Sequence, residues 1–209
     1  MQLMVLLCYN CITMKRTVFF LIMAWVVAGM AASALSPAAE FLSVASAGGK
    51  KIEVAFGRLR RVIDLDREVS GCTELYDPAE PSGRIHDSAR IGVIDWVYQN
   101  RKHYLVLWTL ANANCNVQGH CGAGEDCTLV WLRLDESLKP EKRQALVVQE
   151  CRAETGIPEL DLEFPGKHLC LADGKLEVKF GDLISETPAW THVLYEHDAC
   201  ENGLIVNAP

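Results

Sequence analysis

The stretch RIGVIDWVYQNRKHYLVLWTL, residues 90–110, decides how this chain folds. Arg90–Tyr98 is rich in Ile, Val, Trp and Tyr, the residues that suit a pleated surface. His103–Leu110 is apolar on both of the faces a strand would present. Gln99–Lys102 between them is short and polar. A strand apolar on both faces must be covered on both sides, and a short link makes two strands antiparallel neighbours.

Working outward, Thr128–Leu134 reads as a third strand and Gln144–Glu150 as a fourth. Residues 90–150 are therefore expected to form a four-stranded meander at the centre of the fold. Asp135–Arg143, around Pro140, is expected to hold one or two helical turns. Upstream, Ile52, Val54 and Phe56 alternate with Glu53 and Ala55, which predicts a half-buried strand over Lys51–Phe56 ended by Gly57. Leu59–Leu65 is its expected partner. Residues 77–83, DPAEPSG, are turn formers and read as a loop, as does Thr155–Gly166 with its two prolines. Lys175–Phe180 and Thr191–Tyr195 complete the strands. The fold class is mainly β: an antiparallel, sandwich-like single domain with little helix and one long disulfide-held loop.

KIEVAFGRL (51–59) and KLEVKFGDL (175–183) share six of nine residues. The match is explained by two edge-facing strands that converged on one alternation, since the flanking sequence does not follow it. The alternative is an old duplication, or a pair at related places in a sandwich.

Lys15 and Arg16, the apolar run Val18–Met30 and the small residues Ala31–Ala34 have the order of a secretory signal. Ala32 and Ala34 place cleavage before Leu35, and Met14 is the expected start. Residues 1–34 are thus the signal, 35–50 a linker rich in Ala, Ser and Gly, and 51–209 a secreted or periplasmic β domain. The competing reading is a retained signal anchor, because the run approaches the ~20 residues that span a bilayer. After cleavage no membrane association is expected.

Acidic residues outnumber basic ones by 27 to 20, for a net charge of −7. Losing Lys15 and Arg16 makes the mature chain more negative. Nucleic-acid binding runs on a Lys/Arg excess, so that class of partner is disfavoured. Of nine cysteines, seven follow the signal: Cys72, Cys115, Cys121, Cys127, Cys151, Cys170 and Cys200. In an oxidising compartment they are expected to pair, leaving at least one over.

The segment NANCNVQGHCGAGEDC, residues 112–127, is the densest in chemistry-bearing side chains. It joins two strands that should pair, and it is long for that task. Its candidate ligand-binding residues are Asn112, Asn114, Asn116, His120, Glu125 and Asp126. Cys115, His120, Cys121 and Cys127 are legal zinc ligands, but five-residue gaps miss the usual Cys-x2-4-Cys knuckle. Alternating asparagines before Gly119 faintly resemble a calcium loop, with no Glu at its twelfth position. No cofactor is expected, calcium being the one candidate. A Cys121 nucleophile would need a distant partner from among His103, His168, His192 and His197. The simplest reading is a loop stapled by at least two of its three cysteines, since it has too little apolar surface to be held by burial.

Asp95 interrupts an apolar strand and is expected at a rim, paired with Arg90 or Arg101. Trp96, Trp108 and Trp131 are expected in the core. His192, Glu196, His197 and Asp198 are read as a solvated strand end rather than a metal site. No catalytic motif of the common hydrolase, zincin or nucleotide-binding kinds occurs. The expected function is a non-enzymatic binding or inhibitory module that presents the 112–127 loop to a protein or glycan. The alternatives are a structural or accessory envelope protein, or a metal-dependent hydrolase of unrecognised type.

Overall fold

The computed structural model describes residues 41–208 except 117, 119, 120, 122 and 123. The signal-peptide reading of 1–34 and the Met14 start lie outside the described residues.

The central meander is present. β6 (Arg90–Gln99), β7 (Lys102–Asn112), β8 (Glu125–Leu134) and β9 (Pro140–Gln149) form one antiparallel sheet in chain order. β7 and β8 are its inner strands and are paired along their whole length. Their side chains alternate between two apolar clusters. Leu105, Leu107, Val130 and Leu132 face one side, where they meet Ile52, Val54 and Ile63. Tyr104, Val106, Leu129 and Trp131 face the other, where they meet Leu176, Val178, Val193 and Tyr195.

The first cover is a three-stranded antiparallel sheet of β1 (Leu42–Ser46), β2 (Lys51–Phe56) and β3 (Leu59–Asp64). The linker expected over 35–50 is corrected in its second half: LSVAS alternates, and Leu42 and Val44 pack into the cluster below as β1. β4 (Glu74–Tyr76) and β5 (Arg84–His86) make a small hairpin around the expected 77–83 loop. The second cover contains β10 (Thr155–Gly156), β11 (Lys175–Asp182), β12 (Thr191–Glu196) and β13 (Ile205–Asn207), in that order and all antiparallel.

Two further expectations are corrected. Residues 135–143 contain no helical turn: Pro140 opens β9, a position where a strand tolerates a residue without an N–H. Asp135 instead closes a tight turn, its carboxylate accepting the N–H groups of Ser137 and Lys139, both at 2.8 Å. The two similar nonapeptides are not at sheet edges. β2 is the middle strand of its sheet and β11 an inner strand of the other, on opposite faces of the meander. They part at the shared glycine. Gly57 turns the β2–β3 hairpin with φ +57°, whereas Gly181 continues β11 opposite Gly156.

Of the three central tryptophans, Trp131 is fully core. Trp96 and Trp108 are half-buried at the margins of the two clusters.

Candidate functional site

The connection between β7 and β8 spans residues 113–124 and is tied at both ends. Cys115 is bridged to Cys72 and Cys121 to Cys151, with Cα separations of 5.2 and 6.0 Å. The anchors belong to different parts of the chain. Cys72 precedes the β4–β5 hairpin and Cys151 follows β9, so the two bridges pull the loop towards two neighbours. Backbone bonds reinforce the first: the Cys72 N–H donates to the Asn112 carbonyl at 2.7 Å, and the Tyr76 N–H to that of Cys115 at 2.6 Å.

Most of the candidate loop residues hold this frame together. Asn112 donates from Nδ2 to Asp87 at 2.9 Å. The Asn114 and Asn116 side-chain oxygens accept the N–H groups of Asn116 and Gln118, at 3.1 and 3.0 Å. These are Asx turns, which give a polar loop its shape without apolar burial. Glu125 is ion-paired to Arg90, and Arg90 also donates to the Leu162 carbonyl at 2.7 Å. Asp126 is buried. It accepts the Ser70 hydroxyl at 2.8 Å and the Cys151 N–H at 3.1 Å. The oxygens that would have served calcium are thus directed at different partners. No group of three metal-ligating His, Cys, Asp or Glu side chains is found among the described residues. His120 lies outside the described residues.

The stapled-loop expectation, at least two of Cys115, Cys121 and Cys127 bridged, is met by Cys115 and Cys121; two other disulfide candidates, Cys127 and Cys200, are not bridged. Both are buried. Cys127 is already on β8 with its side chain in the core, where desolvation pushes its thiol up to about 12. The Cys170 thiol lies 3.9 Å from the Lys167 carbonyl. Two bridges among the described residues fit an oxidising compartment. No helix among them is long and apolar enough to cross a membrane.

The second constellation surrounds Asp95, and here the expected rim pairing is corrected. Arg90 is engaged by Glu125 and Arg101 by Glu136. Asp95 is 9% exposed and accepts the Tyr195 hydroxyl at 2.7 Å. His197 Nδ1 lies 2.9 and 3.1 Å from its two oxygens. A β-bulge creates this arrangement. Val93 faces Leu107, Asp95 faces Val106, and Ile94 is the extra residue between them. In unbroken alternation Asp95 would share a face with Val93; the bulge turns it to the side where Tyr195 lies. Burial, and then the Asp95 carboxylate, hold the Tyr195 phenol far above its ordinary range, so it stays a donor. Neutral His197 satisfies the same carboxylate only in the tautomer with hydrogen on Nδ1, which leaves Nε2 as an acceptor.

The C-terminal polar cluster does not assemble around one point. His192 is 4.0 Å from Glu177, Glu196 is paired with Lys175 at 2.7 Å, and His197 turns inward to Asp95.

No protein-family model matches this chain, and no curated protein or solved structure matches it at a significant level.

Proposed function

We propose that this protein is an exported, disulfide-stabilised binding module that presents residues 112–127 to a protein or glycan partner. The observation that carries the reading is the pair of outward bridges, which tie Cys115 and Cys121 of this polar segment to two separate elements. A loop ordered before it meets its partner spends less conformational entropy on binding. Beside it, Tyr76 is 52% exposed, and its strand runs parallel to Asn116 through an isolated bridge. An exposed tyrosine beside Asn116 and Gly83 is a combination that binding loops use: rigid aromatic area with adaptable hydrogen bonding. Asn116, Gln118 and Tyr76 are exposed, whereas Asp126 and Cys127 at the end of the segment are buried and anchor it.

The test compares the wild type with Y76A and with N114A/N116A, on a glycan array and against fractionated exported proteins. The reading expects a saturable partner whose binding falls about tenfold or more in the variants, as for loss of an interface anchor, with melting temperatures within a few degrees. A partner whose binding ignores all three substitutions would overturn it.

A further inference from the structure

We propose that residues 195–207 form a clasp over one face of the central sheet, and that the charge on Asp95 holds the clasp shut. The segment leaves β12, makes a short 3-10 turn over 197–202, and returns as β13 against β12. Beneath it lies the Trp131 side of the meander. The Trp131 indole N–H donates to the Cys200 carbonyl at 3.0 Å, and Gln144 accepts the Leu204 N–H at 2.8 Å. Gly203 has φ +73°, and a Cβ there would collide with Gln144 and crowd Trp131, so the clasp lies flat on the sheet. Cys200 and Leu204 are buried under it, while Ile205 and Val206 outside are 41% and 49% exposed.

Asp95 bonds the clasp at its entry, through Tyr195 near the end of β12 and His197 at the start of the 3-10 turn. Both partners are donors aimed at an acceptor-only group. Removing the charge on Asp95 puts a hydrogen on one of the oxygens these donors share and weakens what remains as an acceptor. The other groups around this point come from every packed element. β12 supplies Tyr195, and Glu196 in its pair with Lys175 of β11. The 3-10 turn supplies His197, Cys200 and Glu201, the last bonded to Gln99 of β6 at 2.8 Å. β7 supplies Tyr104 and Lys102, and β8 supplies Arg133. Of these groups, Tyr195 and His197 are the ones that bond to the Asp95 oxygens. Loss of the Asp95 charge therefore acts on the clasp where Tyr195 and His197 enter it, and its release would uncover Trp131, Leu204 and the Cys200 thiol.

The experiment is amide hydrogen exchange of the full chain, corrected for intrinsic rates, together with peptide-mapped labelling by a disulfide reagent active at acid pH. On acidification, residues 197–207 should gain about tenfold in exchange before β7 and β8 respond, the scale of losing a hydrogen bond to a charged group. Cys200 should become labelled while Cys127 stays protected. The Asp95→Asn variant should show the open clasp at neutral pH and change little further in acid. Should that variant fail to fold, His197→Gln, whose side chain is partly exposed, takes its place. It should raise clasp exchange at neutral pH and leave β7 and β8 unchanged. Simultaneous opening of clasp and central strands, or a clasp in the variants as protected as in the wild type, would overturn the proposal.

Discussion

Asp126 accepts the backbone N–H of Cys151 at 3.1 Å, and the side chain of Cys151 is bridged to Cys121. One buried carboxylate thus fixes the position of the residue to which the far end of the loop is tied. It does so from β8, so the rigid core sets the loop's anchor. The same carboxylate takes the Ser70 hydroxyl from the segment after β3. Three separate parts of the chain meet on one side chain.

Asp126→Ala should therefore destabilise the whole domain. It leaves a half-buried hydroxyl and a half-buried N–H without their acceptor, a cost of at most about 1–3 kcal/mol for each unsatisfied group. Thermal melting would show a fall of several degrees. Asp126→Asn should recover part of it, since the amide oxygen keeps one acceptor. A melting temperature unchanged in the alanine variant would remove Asp126 from this role.

The second bridge closes a 30-residue separation in sequence. Changing Cys121 and Cys151 together to serine should cost about 2–4 kcal/mol by the chain-entropy account. The effect belongs to the loop and the whole domain alike, because the unfolded chain gains freedom. Alkylation of the native protein followed by peptide mapping should find Cys72, Cys115, Cys121 and Cys151 blocked. Cys127 should react only after unfolding. A reactive native Cys127 would contradict its burial.

Gly92 on β6 lies directly opposite Trp108 on β7. A Cβ at position 92 would run into the indole, at its Nε1, Cε2 and Cζ2 atoms. Gly92→Ala should cost about 1–3 kcal/mol as an overpacking change. Pairing it with Trp108→Leu should restore part of that loss, giving a non-additive double-mutant cycle. Strictly additive effects would show that the contact is not what the glycine serves.

His103 is 1% exposed, and its Nδ1 lies 3.3 Å from the Trp96 indole nitrogen as the acceptor of that N–H. Burial lowers its pKa below the ordinary value, against the opposing pull of Asp135 and Glu136. The folded state therefore binds a proton less readily than the unfolded chain. Stability from this group is complete above the unfolded value of about 6.5 and declines as pH falls through it. The wild type should lose more melting temperature between pH 8 and pH 5 than His103→Phe, which has no proton to take up. Parallel pH profiles would show that His103 does not contribute.

The alternation of residues 90–134 was sufficient to place the meander, because a strand with both faces apolar has few ways to satisfy itself. The loop's need for staples was also legible: NANCNVQGHCGAGEDC has little to bury and three thiols to spend. The short strands β4, β5, β10 and β13 left no such trace. Two or three residues carry no period, and their pairing depends on what the tertiary fold brings alongside.

Asp95 marks the boundary most sharply. The sequence shows a carboxylate in an apolar run, but with Ile91, Val93, Ile94, Trp96 and Val97 all apolar it shows no parity from which the bulge could be read. Only the register of β6 on β7 reveals it. The partner was beyond reach, because Tyr195 and His197 lie about a hundred residues away. Composition and alternation determined a mainly β domain with a stapled loop, since those follow from local chemistry and the need to bury apolar faces. Only the tertiary structure decided which cysteines met and which donors closed on Asp95. Contacts between residues far apart in sequence are selected by the whole packed fold, and no local pattern encodes them.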